Sequence, residues 1–187
     1  MENYINIDGE ITQEQLEKEG VEVSSYAEEM LKKIKWTEKG RIDLVKIKVG
    51  ELFEDNNLHT LDDIYKKAKD LGLELCPAEV APHLRLSYRN QPLNEYLYVA
   101  MEPITDSDGD PNVFELARDT DELWLDDFWT KPTRGWAPDD EFVFCSRKPL
   151  KTFDTLDSLS LGNFDTLNTK LDKVLDNLEN LKKVFNF

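Results

Sequence analysis

The chain has 187 residues, with 39 acidic against 23 basic side chains and a formal charge of −16. That length fits one ordinary domain plus an appendage, and an apolar fraction of 40% excludes a wholly disordered chain. The charge repels nucleic-acid phosphates and anionic membrane surfaces, so neither is an expected direct partner, whereas a basic protein is.

The first residues, Met1-Glu2-Asn3-Tyr4-Ile5, carry neither the basic nor the apolar stretch of a secretory signal. No run approaches the roughly 18 apolar residues of a membrane span. A soluble, cytoplasmic protein is the expectation. Cys76 and Cys145 belong to no C-x-x-C pair, and two such residues in a chain this long read as free thiols in a reducing compartment.

Residues 1–40 read as an N-terminal helical arm. Thr12-Gln13-Glu14-Gln15 fits a capping box, and Gly20 ends that helix. Ser25-Tyr26-Ala27-Glu28 fits a second box, after which Tyr26, Met30, Leu31 and Ile34 recur at helical spacing.

Residues 41–148 read as an α+β core domain. Val45, Ile47 and Val49 alternate with Lys46 and Lys48, which predicts a half-exposed strand. Thr60 and Asp63 predict a capped helix with Leu61, Ile64, Tyr65, Ala68 and Leu71 on its buried stripe and Gly72 as its stop. Pro77 and Pro82 break any helix beyond it. Short strands are then predicted at 84–88, 96–101, 113–117, 123–129 and 142–145, separated by clusters of turn residues. Local turns between short strands predict an antiparallel β-meander covered by short helices.

A linker over 149–163 leads to the most regular pattern in the chain. Phe164, Leu167, Leu171, Val174, Leu178, Leu181 and Phe185 are spaced by alternating steps of three and four. That is an a/d heptad seam, and it predicts a C-terminal coiled-coil helix over 164–187 that makes the protein a homo-oligomer. Acids and bases balance within this segment, so the excess negative charge lies before it.

Ten acids and one base, Arg118, lie between Glu102 and Asp127. Asp106, Asp108 and Asp110 alternate as in a calcium loop, but the twelfth position from Asp106 is Ala117, where an EF-hand needs a bidentate Glu. Asp108-Gly109 closing a hairpin is the preferred reading. Cys76 and His83 are conceivable as a nucleophile and its base, yet no glycine-rich oxyanion loop accompanies them. No dinucleotide, P-loop or metalloprotease motif is present, so no cofactor, metal or catalytic residue is assigned. Trp124, Trp129 and Trp136 stand among Asp106, Asp108, Asp110, Asp121, Asp126 and Asp127. Aromatic anchors ringed by carboxylates suit a basic protein, because the aromatics supply contact area and the acids steer the approach. The leading expectation is a non-catalytic acidic binding or adaptor protein. Alternatives are a nucleic-acid mimic or immunity-type inhibitor of a basic nuclease or defence protein, and a small enzyme of unassigned reaction.

Overall fold

The computed structural model describes residues 1–146. Their elements are β1 (Tyr4–Ile7), α1 (Gln13–Lys18), β2 (Val21–Val23), α2 (Ser25–Lys33), β3 (Gly40–Lys48), α3 (Val49–Phe53), α4 (Leu61–Asp70), α5 (Val80–Ser87), β4 (Tyr96–Val99), β5 (Ile104–Thr105), β6 (Pro111–Asp119), β7 (Glu122–Trp129) and β8 (Glu141–Ser146). Among the described residues no helix is long and apolar enough to cross a membrane.

The helices begin where side chains satisfy their first free amides. Thr12 Oγ1 accepts from the Gln15 amide at 3.3 Å and Gln15 Oε1 accepts from the Thr12 amide at 2.8 Å, which closes the box on α1. Thr60 and Asp63 do the same for α4, whose stop, Gly72, sits at φ 80° as a left-handed residue must. The cap of α2 is Ser24, one residue before the predicted one: its Oγ accepts from the Ala27 amide at 3.2 Å.

All eight strands form one sheet in the order β1-β3-β8-β4-β6-β7-β2, with β5 paired to β6 off this path. The sheet curves into a half-barrel with few, short helices. This corrects the antiparallel β-meander. Val21 of β2 stands opposite Leu123 of a parallel β7, and Tyr98 of β4 opposite Phe142 of a parallel β8, so the sheet is mixed. Parallel neighbours cannot be joined by a tight turn, and local turn chemistry therefore says nothing about them. The C-terminal coiled-coil helix is corrected too. Among the described residues there is no such helix, and the seam from Phe164 to Phe185 lies outside them, as does the linker over 149–163.

Two further expectations change. Residues 1–40 are not purely helical, since they supply β1 and β2, the two outermost strands. Residues 84–88 are not a strand, since most of them lie in α5. Pro82 is the third residue of that helix, where its missing N–H would have had no partner anyway. Arg85, within that predicted strand, is fully buried.

Both faces of the sheet are covered by apolar clusters. One joins Ile7, Leu16, Met30, Leu84, Leu97, Phe114 and Leu125, so α1, α2 and α5 lie on that side. The other joins Leu52, Ile64, Ala68, Ala100, Phe142, Phe144 and Trp136, with α3 and α4 as its cover.

Candidate functional site

The nine residues expected to bind a partner do not form one surface. Asp106, Asp108 and Asp110 lie in the β5–β6 turn, and that turn consumes two of them. Asp106 accepts from the amides of Asp108 and Asp110 at 2.9 Å each and from Asn112 Nδ2 at 2.7 Å. Desolvation pulls its carboxyl up, but those bonds outweigh it and hold the group below its ordinary value. Asp108 accepts from the Tyr26 hydroxyl at 2.7 Å, and this bond with the Asp108 charge pushes that phenol up to about 12. Ser107 donates to Glu29 through its amide and its hydroxyl, at 3.0 Å each, and Lys33 Nζ donates to the Thr105 carbonyl at 2.6 Å. The turn is thereby docked onto α2. Among the described residues, no group of three or more His, Cys, Asp or Glu side chains is placed to hold a metal ion.

Asp121 is exposed in the two-residue β6–β7 turn, where Asp119 pairs with Glu122. The length of β7 puts it about 25 Å from the docked hairpin. Trp129 is 47% exposed and carries Lys131 Nζ over its ring at 5.6 Å. Trp136 is fully buried, with Tyr98, Phe142 and Phe128 ring centroids at 4.7, 4.8 and 5.0 Å. Asp127 accepts from Ser24 Oγ at 2.8 Å. Asp126, its neighbour in sequence, stands opposite Glu115 of β6, and its Oδ1 accepts from the Asp127 amide at 2.8 Å.

What the fold does bring together is Trp124, Asp126 and four residues that sequence patterns did not single out. Across β4, β6 and β7, Tyr96, Ala117 and Trp124 form one row, and Tyr98, Glu115 and Asp126 the next. Residues directly opposite in antiparallel strands share a face. Tyr96 and Trp124 thus flank the small Ala117 at a separation of about 10 Å, two strand spacings. Glu115 is only 6% exposed. Burial pushes its carboxyl up to about 7, and the Asp126 charge adds to this. The Tyr98 hydroxyl, which donates to it, acts the other way, and so does Arg134. Tyr98 is itself raised well above the phenol range, by burial and then by the Glu115 and Asp140 charges. Arg134 is held nearby with its guanidinium carbon 4.3 Å above the Phe128 ring and 5.4 Å from that of Trp136.

Tyr96 and Tyr98 also line a groove of about 360 Å³ with Leu93, Asp139, Asp140 and Glu141. A groove of about 700 Å³ beside α4 is larger, but its charges are mixed, with Lys66 and Lys69 against Glu74 and Glu102. The Tyr65 hydroxyl on its wall already bonds the Met101 carbonyl at 2.8 Å. The smaller groove keeps an excess of acids, with Glu95, Asp139, Asp140 and Glu141 against Lys48, although Lys48 lies 3.8 Å from Asp139 and Lys46 bonds both Glu95 and Glu141. Cys76 and His83, considered as a catalytic pair, have separate partners: the Cys76 sulfur lies beside that of Cys145, and His83 Nδ1 is 2.9 Å from the Glu79 carbonyl.

The raised Glu115 carboxyl makes stability depend on pH. Between its usual value of 4.5 and about 7 the folded state holds a proton that the unfolded state has lost. The contribution of this group is therefore complete below pH 4.5 and is lost as pH rises through 7. Glu115→Gln is expected to raise stability at pH 8 by on the order of 2 kcal/mol and to change little at pH 5. Urea midpoints at the two pH values check this, and equal effects at both would show that Glu115 ionises normally.

The comparisons agree in finding no counterpart: no family model, curated protein or solved structure matches this chain.

Proposed function

We propose that the protein is a binding protein that engages a basic partner through the sheet face bearing Tyr96, Tyr98, Glu115, Trp124 and Asp126. The observation that carries this reading is the cross-strand pair of Glu115 and Asp126. Two carboxyls on adjacent strands repel when both ionise, and burial of one adds a desolvation cost. An arriving cation relieves both terms. Tyr96 and Trp124 offer ring faces on either side of the slot, which suit the stem and head of a lysine or arginine side chain. The acids of the neighbouring groove outnumber its lysines even after Lys46 and Lys48 take Glu141 and Asp139 as partners, and this excess, with Asp140 in it, extends the negative field that steers such a ligand.

Calorimetric titration of the full chain with a peptide rich in lysine and arginine tests this. Binding is expected at low salt and should weaken about tenfold or more towards 0.5 M salt. Trp124→Ala and Asp126→Asn should each cost about tenfold. Affinity indifferent to salt and to both substitutions would remove the reading. Inhibition of a basic nuclease that is lost with the same two substitutions would narrow the partner to a phosphate-binding groove.

A further inference from the structure

The described residues hold two cysteines, and they are in contact. Cys76 lies in the connector between α4 and α5, and Cys145 on β8, a strand inside the sheet. Their sulfurs are 2.8 Å apart although they are 69 positions apart in sequence. Both are free thiols and both are buried. The backbone fixes the meeting. Glu74 and Cys145 exchange two amide–carbonyl bonds of 2.9 Å, and the Cys76 amide donates to the Ala100 carbonyl at 2.6 Å. The connector is therefore stitched to the sheet on both sides of Leu75 before any sulfur chemistry takes place.

We propose that Cys76 and Cys145 are a thiol–disulfide modification site, which closes to an intramolecular disulfide by exchange with a small-molecule disulfide of the glutathione class. A disulfide bond is about 2.05 Å long, so the sulfurs must close by only about 0.8 Å. The exchange balances in two steps. A thiolate of one cysteine attacks a sulfur of the small disulfide, forms a mixed disulfide and expels one small thiolate. The thiolate of the other cysteine then attacks the protein sulfur of that mixed disulfide, forms the Cys76–Cys145 bond and expels the second small thiolate. The two protons released by the cysteines pass to the two small thiolates, and the two electrons reduce the small disulfide.

Burial, with the Cys145 sulfur beside it, pushes the Cys76 thiol up. Thiolate is scarce while the fold is closed, and exchange proceeds through local opening or during folding. Burial therefore limits the rate of exchange. Once the chain is folded the sulfurs are already in place, so the bond imposes little new strain and removes much freedom from the unfolded chain.

The test is to refold the full chain in a buffer of reduced and oxidised glutathione and measure its intact mass under denaturing conditions. The expected result is loss of two hydrogens with both thiols silent to a thiol reagent, and one peptide linking Cys76 to Cys145. The melting temperature should rise by on the order of 10 °C and fall back when a dithiol reductant is added. With Cys145→Ser the same buffer should leave the melting temperature unchanged. Two titratable thiols after refolding would overturn the proposal, as would glutathione adducts or links between chains in place of the internal bond. The mass and the peptide map need no variant, so they decide the matter even if a cysteine substitution impairs folding.

Discussion

Trp136→Ala is expected to cost the fold about 4 kcal/mol, while Trp136→Phe costs about 1 kcal/mol or less. The indole is fully buried at the centre of a ring cluster with Tyr98, Phe128 and Phe142. Truncation to alanine removes its packing and leaves a cavity whose walls are held by a strand on each side. Phenylalanine keeps most of the contact. It also removes an indole N–H that is buried with no hydrogen-bond partner, and deleting an unsatisfied donor gives back part of the loss. Urea denaturation followed by far-ultraviolet circular dichroism separates the two variants. Equal losses would mean that the indole nitrogen is bonded after all. Because Trp136 packs against Tyr98, the alanine variant should also weaken the proposed binding face.

The second large effect belongs to Arg85. Its guanidinium is buried without a carboxylate partner among its hydrogen bonds. It donates to Gln91 Oε1 and the Tyr88 carbonyl, and at 3.4 Å to the carbonyls of Ala117 and Trp124. Gln91 in turn donates to the carbonyls of Glu95 at 3.0 Å and Leu116 at 2.8 Å. One cation thus gathers oxygens from the end of α5, from β6 and from β7. Burial lowers its pKa to about 10, so it stays charged at neutral pH. Arg85→Met is expected to lose about 3 to 5 kcal/mol, because several buried oxygens lose their donor at once. Arg85→Lys should recover little, since an ammonium cannot reach the same spread of acceptors as a planar fork. A lysine variant within about 1 kcal/mol of the native chain by urea denaturation would show that charge, not the fork, matters.

What was legible in the sequence follows from how local its cause is. The bounds of helix α4 were readable because Thr60, Asp63 and Gly72 lie within one segment, and its stripe was readable through Leu61, Ile64 and Ala68, but Leu71, expected on that stripe, is 57% exposed. The strands were readable as segments for the same reason. Their arrangement was not. The runs Leu97-Tyr98-Val99-Ala100 and Phe142-Val143-Phe144 are continuously apolar, which is what strands covered on both faces need, and they lie side by side in parallel. Alternation marks a half-exposed strand, so these runs read as strands without marking the centre of a sheet. Helix α5 was hidden because Pro82 reads as a breaker unless the helix start is already known.

The site divides along the same line. Trp124 and Asp126 were legible as residue types, but not the faces they occupy. Asp126 and Asp127 are adjacent in sequence but stand opposite different residues of β6, Glu115 and Phe114. Glu115 carried one weak signal, an acid inside the apolar run Val113-Phe114-Glu115-Leu116-Ala117. Only the register of β6 against β7 places it opposite Asp126.

The position of the two outermost strands bears on how the chain reaches this state. β1 and β2 lie within the first 23 residues, yet β2 pairs with residues 123–125, about a hundred positions later. Closing so large a loop costs entropy before any contact compensates for it. β2, synthesised well before its partner β7, is consequently among the last elements to find its place. Until then β7 presents an unpaired edge, the kind of surface on which folding intermediates associate. A slow final step, with a refolding yield that falls as protein concentration rises, is the folding behaviour this topology implies.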